Sequence, residues 1–270
     1  MTTNPPLSGT PAPDSPPRRG LSSAAKILLF VGLPILVILI GAGLTLAFWV
    51  RPVSFHSTAS GSTAIAVSAP NAGIRVMPST DGKVHVDATG WHSGPRPTLT
   101  VDTEGGTTTI QGRCGNAWLS LCFLELTVSV PPTADLTVAS TNGAIGVSGL
   151  NGSVRVETTN GTIDTRNLVG TLDLQTTNGA IRAAACESDD VTARTTNGAV
   201  DLHFTRAPGI VEARSTNGSI TVSVPSDASY FIDAHTVNGR VDTGDIGSDR
   251  KADRTITAET VNGGITVKFE

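Results

Sequence analysis

An Asn-Gly step recurs seven times in the second half of this chain, and its spacing limits the available folds. The steps stand at Asn142, Asn160, Asn178, Asn197, Asn217, Asn238 and Asn262, at intervals of 18, 18, 19, 20, 21 and 24 residues. Self-similarity at such a period indicates stacked units, each unable to bury its apolar face alone. Six residues before each Asn stand Leu136, Val154, Leu172, Val191, Val211, Ile232 and Ile256. Four before stand Val138, Val156, Leu174, Ala193, Ala213, Ala234 and Ala258, and two before stands Ser or Thr in every unit. Three after stand Ile145, Ile163, Ile181, Val200, Ile220, Val241 and Ile265. The position between the first two columns is polar throughout, so each unit enters its corner on a half-buried strand of period two.

Continuing that alternation places the Ser/Thr column and the Asn column on the inward side. Buried amides and hydroxyls need partners. Identical residues stacked at the ~4.8 Å strand spacing can supply them. The Gly after each Asn is expected to provide a positive φ at the corner. Asn-Gly is also a strong hairpin signal, so an antiparallel meander competes. A meander, however, does not require the same residue at the same inward place in every unit. The expected fold is therefore all-β: a parallel β-solenoid, or β-helix, of about seven or more coils over 136–270. Successive coils are expected to lie directly over one another.

The longer intervals place extra residues between Phe204 and Pro208, between Pro225 and Tyr230, and between Thr243 and Arg254. Insertions at one place in successive coils line one edge of a stack, which makes that edge a candidate binding surface. Loops also tolerate insertion without any function. Residues 63–135 carry weaker strand patterns and read as irregular N-terminal coils that cap the stack. Asn71-Ala72-Gly73-Ile74 within them resembles a degenerate corner. Residues 51–62 read as a linker.

Residues 27–50 contain no charged side chain. A bilayer core of ~30 Å needs about 20 apolar residues in a helix, so this run is expected to form one transmembrane helix. Arg18, Arg19 and Lys26 precede it against Asp14 alone, which predicts a cytoplasmic N-terminus and an extracytoplasmic C-terminal domain, anchored at the cell membrane by a single pass. The Pro- and Ser-rich residues 1–26 read as a disordered cytoplasmic tail. A cleaved signal peptide is the rival reading. Its apolar stretch would be shorter and would end in small residues, whereas this run leaves through Ala47-Phe48-Trp49-Val50-Arg51.

Residues 51–270 hold 16 Lys/Arg and 22 Asp/Glu, a formal net charge of −6. That excess argues against a nucleic-acid partner and against a polybasic membrane face. Three cysteines occur, Cys114, Cys122 and Cys186. In an oxidising compartment Cys114 and Cys122 are a candidate disulfide around a short loop. The alternative is that all three are buried thiols acting as small apolar groups.

The stretch from Val128 resembles the bacterial putative adhesin family, on the strand ending Val130-Pro131 and the corners Thr141-Asn142-Gly143, Thr159-Asn160-Gly161 and their successors. The likeness covers roughly residues 60–270. It implies an adhesin-like β-solenoid ectodomain, often membrane-attached, and brings no catalytic residues or cofactor with it.

Asp164, Asp201 and Asp242 occupy equivalent places four after their Asn, which superficially suggests the carboxylate pair of a polysaccharide-active enzyme. Gly146, Arg182, Thr221 and Thr266 share that position, and mixed occupancy is what a solvated face shows. The five histidines are scattered. Asp245, Asp249 and Asp253 do not match a calcium loop. No catalytic, cofactor or metal site is assigned, and the seven corner asparagines are read as a structural ladder. Two functions remain. One is a non-catalytic interaction or structural module at the cell envelope, contacting an envelope protein or polysaccharide. The other is an accessory of envelope-stress signalling working through a membrane or cytoplasmic partner.

Overall fold

The structure is a computed structural model that describes residues 27–115 and 121–270. The chain divides into two compact units, residues 1–49 and 50–270. The tail expected over 1–26 lies outside the described residues.

In the first unit a π-helical turn, Leu28–Gly32, runs into helix α1, Leu33–Trp49. The widened turn closes with the Leu33 N–H donating to the Leu28 carbonyl. Pro34 follows immediately. It has no N–H for an α-helical bond, and its ring crowds the carbonyl four residues back. The single α-helix expected over 27–50 is therefore interrupted near its start. At ~1.5 Å per residue, the 17 residues of α1 fall short of the ~30 Å hydrocarbon core. Among the described residues, no helix is long and apolar enough to cross a membrane.

The second unit is all-β. Its first seven strands are β1 Arg51–Ala59, β2 Ala64–Ser68, β3 Ala72–Pro78, β4 Val84–His92, β5 Thr98–Glu104, β6 Thr107–Arg113 and β7 Cys122–Val130. The repeat region contributes β8 Asp135–Ala139, β9 Ile145–Ser148, β10 Val154–Asn160, β11 Ile163–Arg166, β12 Leu172–Asn178, β13 Ile181–Cys186 and β14 Asp190–Asn197. It continues with β15 Val200–Phe204, β16 Ile210–Asn217, β17 Ile220–Val224, β18 Phe231–Asn238, β19 Val241–Asp242, β20 Thr255–Asn262 and β21 Ile265–Phe269. Each coil gives its strand before the corner to one sheet and its strand after the corner to the other. For convenience, the sheet before the corner is the entry sheet and the sheet after it is the exit sheet.

Pairing between coils is parallel and in register. Val154 lies beside Leu172, Thr158 beside Thr176, and Asn160 beside Asn178. The same columns continue through Val191, Thr195 and Asn197. The apolar columns Leu136, Val138, Val154, Val156, Leu172, Leu174, Ile163, Ile181 and Val200 are all at most 2 % exposed and form one core between the sheets. Fully burying each large aliphatic side chain contributes about 1.5–3 kcal/mol, which explains why register does not slip.

The order of coils departs from expectation at both ends. The entry sheet runs β18-β20-β16-β14-β12-β10-β8-β2-β6-β5, and the exit sheet runs β1-β4-β7-β3-β9-β11-β13-β15-β17-β21-β19. The last coil in sequence, β20/β21, thus lies between the β16/β17 and β18/β19 coils. Likewise β2/β3 lies between the β6/β7 and β8/β9 coils. Each permuted coil gains a partner on both edges, and the outer coil is left to be capped. At one end the cap is antiparallel: β4 on β7, β1 on β4, and β5 on β6. At the other end the loop 243–254 covers the start of β18. Ser248 Oγ accepts from the Ile232 N–H and donates to the Ile232 carbonyl, and the Asp249 N–H donates to the Tyr230 carbonyl. Ile246 is buried beneath it. The longest insertion therefore closes the stack. The stretch 51–62 is not a simple linker either, because β1 occupies most of it and alternates from buried Val53 onward.

Candidate functional site

The corner ladder is continuous and has one more rung than the seven Asn-Gly steps. Each Asn Nδ2 donates to the next Oδ1, from Asn238 to Asn262, Asn217, Asn197, Asn178, Asn160 and Asn142, at 2.8–2.9 Å. Asn142 donates in turn to Asn71 at 2.8 Å. All eight side chains are exposed, which corrects the inward placement expected from alternation. At each corner the backbone leaves the strand, and two consecutive residues, such as Thr177 and Asn178, face outward. The ladder amides therefore exchange with water, and each bond lies near the lower end of the ~0.5–1.5 kcal/mol range.

The hydroxyls of the Ser/Thr column bond to backbone carbonyls. Thr176, Thr195, Ser215 and Thr260 each donate to the carbonyl of a corner glycine in the neighbouring coil, respectively Gly161, Gly179, Gly198 and Gly218, at 2.9–3.0 Å. The role of those glycines also differs from expectation. At most corners the Gly φ is not positive. A Cβ on Gly179 would instead lie 1.9 Å from the Gly161 carbonyl oxygen, and one on Gly198 or Gly218 would meet the same obstacle at 1.9 Å. The glycines are required by close approach of successive backbones.

Cys114 and Cys122 form a disulfide with Cα atoms 5.9 Å apart, joining the end of β6 to the start of β7. Trp118 within that loop lies outside the described residues. Cys186 is free and buried.

Asp164, Asp201 and Asp242 are not brought together. In the exit sheet Arg182 stands between Asp164 and Asp201, so those two carboxylates are two strand spacings apart, roughly 10 Å. Asp242 lies further along, beyond Thr221 and Thr266. Arg182 faces Asp164 at 3.7 Å. Among the described residues, no cluster of His, Cys, Asp and Glu is arranged to hold a metal ion.

On the outer face of the entry sheet, charges pair with one another. Arg155 meets Asp173 and Glu157, while Arg194 and Arg214 share Glu212, and Arg214 also reaches Glu259 at 2.8 Å. The outer face of the exit sheet is different. Where other coils carry Asp164 or Arg182, the first repeat carries Gly146, with Gly73 and Ala144 nearby. The missing side chains leave a trough of about 380 Å³ across β3, β9 and β11. Arg75 and Glu125, 3.5 Å apart, form one wall, and Asp164 and Arg166 line the trough with them. Such a surface offers guanidinium donors and carboxylate acceptors beside a flat backbone floor, which suits hydrogen bonding to a polar chain. Gly146 was visible in the sequence only as mixed occupancy. The wall was not visible, because Arg75 and Glu125 meet only through β3–β7 pairing.

No curated protein matches this chain. Solved structures show low-identity similarity. A putative adhesin from Bacteroides fragilis has a TM-score of 0.49 at 15% identity, covering 82% of this chain and 97% of its own. A putative adhesin from Parabacteroides merdae has a TM-score of 0.43 at 12% identity, covering 82% and 96%. A putative cell adhesion protein from Clostridium sporogenes has a TM-score of 0.41 at 12% identity, covering 82% and 100%. The family model described as Toastrack DUF4097 matches residues 128–268, from within β7 to within β21. That match spans more than half of the sequence, and the chain belongs to the Toastrack DUF4097 family.

Proposed function

We propose that this protein is a membrane-anchored, extracytoplasmic interaction module of the bacterial cell envelope, without catalytic activity. Its exit-sheet trough engages a polar envelope polymer, best matched by a polysaccharide. The observation that carries this reading is the run of small residues, Gly73, Ala144 and Gly146, set between Arg75, Glu125, Asp164 and Arg166. The in-register coils hold those groups on strands, so a ligand would not need to order them first. Anchoring is supported by the uncharged run 27–50 and by the basic residues before it. Within that run Leu36, Ile38 and Leu39 are more than half exposed in the chain alone.

The test is binding of the full chain to purified wall polysaccharide, with Gly146→Arg as the probe. A Cβ at Gly146 meets only the Asp164 carbonyl oxygen, at an ordinary 3.9 Å, so the variant folds and fills the trough. Loss of binding supports the reading, and unchanged binding removes the trough from it. Resistance to alkaline carbonate extraction separately tests the anchor.

A further inference from the structure

Among the described residues of the β unit few large apolar side chains are exposed, and the two aromatic ones among them are neighbours. Trp91 is 57% exposed and Phe123 is 59% exposed. Strand register sets them side by side, with Pro52 on the other flank of Trp91. The row Pro52–Trp91–Phe123 borders a second depression, lined also by Val53, Thr89 and Gly90. Leu121, 64% exposed, stands two residues before Phe123. This row forms the rim of the sheet where β1 begins: Arg51 pairs with His92, and His92 with Cys122.

Covalent geometry limits where that rim can be. Pro52 is three residues beyond Trp49, at most about 11 Å along an extended chain. Trp91 and Phe123 are one and two strand spacings further, about 5 and 10 Å. The polar zone on each side of a bilayer is roughly 5–7 Å deep. If the apolar run 27–50 is held in a membrane, the row cannot stand far from lipid. Trp is the side chain enriched at that boundary, and exposed Arg51 beside it suits an anionic headgroup.

We propose that the Pro52–Trp91–Phe123 row, with Leu121 at its edge, seats the β unit on the lipid headgroup and acyl boundary of the outer leaflet. The occupant is lipid, because the anchor brings lipid to this rim whatever else is present. The inference rests on the anchored reading given under Proposed function.

The test uses the full chain with Trp49→Phe and Trp118→Phe, which leaves Trp91 as the sole tryptophan of three. It is reconstituted in vesicles of phosphatidylethanolamine and phosphatidylglycerol. Trp91 should lose most of its emission to lipids brominated near the headgroup, lose less to lipids brominated at the chain ends, and be shielded from aqueous acrylamide. Adding Phe123→Ser should restore acrylamide access. Carbonate extraction of the same vesicles separates the two readings. A chain retained by the vesicles, with Trp91 open to acrylamide and insensitive to brominated lipid, overturns the seating and leaves the anchor. A chain that is extracted, with no lipid quenching, overturns both. Shielding of Trp91 by soluble wall fragments, or by a second copy at high protein concentration, without lipid quenching overturns the assignment to lipid.

Discussion

Replacing Gly179 with Ala tests whether close backbone approach is what demands glycine at the corners. The added Cβ would sit 1.9 Å from the Gly161 carbonyl oxygen and 2.6 Å from its carbon. Real contacts of this kind exceed 3.0 Å, so two coils must part by about 1 Å against a spacing of ~4.8 Å. Parting strains the Gly161 N–H bond to the Asn178 carbonyl at 3.1 Å, and the Thr176 bond to the Gly161 carbonyl at 3.0 Å. It also strains the Asn178–Asn160 amide bond at 2.8 Å. Three bonds at about 0.5–1.5 kcal/mol each amount to roughly 3 kcal/mol. Reduced unfolded-state entropy returns about 0.4–1 kcal/mol, leaving a net loss of roughly 2–3 kcal/mol. For a unit this size that is a Tm lower by about 4–12 °C, at 2–4 °C per kcal/mol. The assay is thermal and urea unfolding of the full chain in detergent, followed by circular dichroism. Gly146→Ala is the control, because its Cβ has room. Gly179→Asn separates the explanations. Asn tolerates positive φ, so a conformational requirement would spare it, whereas close approach makes it at least as harmful as Ala. Equal shifts for Gly179→Ala and Gly146→Ala, or a silent Gly179→Asn, would refute the reasoning.

Thr176→Val removes the donor to the Gly161 carbonyl and should cost about 1–2 kcal/mol. Thr158→Val should be neutral or stabilising in the same urea titration, because Thr158 Oγ1 is buried without a hydrogen-bond partner. Asn178→Leu breaks two exposed ladder bonds and should cost only about 0.5–1 kcal/mol, less than Thr176→Val. Reducing the Cys114–Cys122 bond, which closes a loop of sequence separation 8, should cost about 2.5 kcal/mol by loop entropy, read as a lower urea midpoint in dithiothreitol. Burial pushes the Cys186 thiol above its usual pKa, with Ser188 opposing more weakly. Native protein should therefore resist maleimide at neutral pH and react once unfolded. The unfolded thiol ionises near 8.5, so the neutral buried thiol stabilises fully below that pH, and the contribution falls as pH rises towards the folded value.

The trough and the aromatic row were only partly legible beforehand. Trp91 and Phe123 lie 32 residues apart in the sequence, and nothing in the local pattern pairs them. They become neighbours because β4 turns back antiparallel onto β7. The trough likewise needs β3 beside both β7 and β9, a contact that crosses from the irregular region to the first repeat. Asn71 is the exception. Its degenerate corner could be read in advance, and its side chain ends the ladder beside Asn142.

Sequence alone determined the columns: which residues face the core on each strand, and that equivalent residues of different coils lie side by side. Period-two alternation repeated at a near-constant interval leaves no other register that buries Val156, Leu174 and Ala193 together. Two matters were decided only in three dimensions. The first is the order of the coils. Any unit fits between any two others, because all share the same columns, so register energy is indifferent to permutation. Edge pairing and capping decide it, with β20 placed between β16 and β18 and Ser248 closing the open edge. The second is the corner, where the backbone stops alternating. There Asn178 turns to solvent, and the carbonyl of one glycine occupies the space where a side chain on the next would stand.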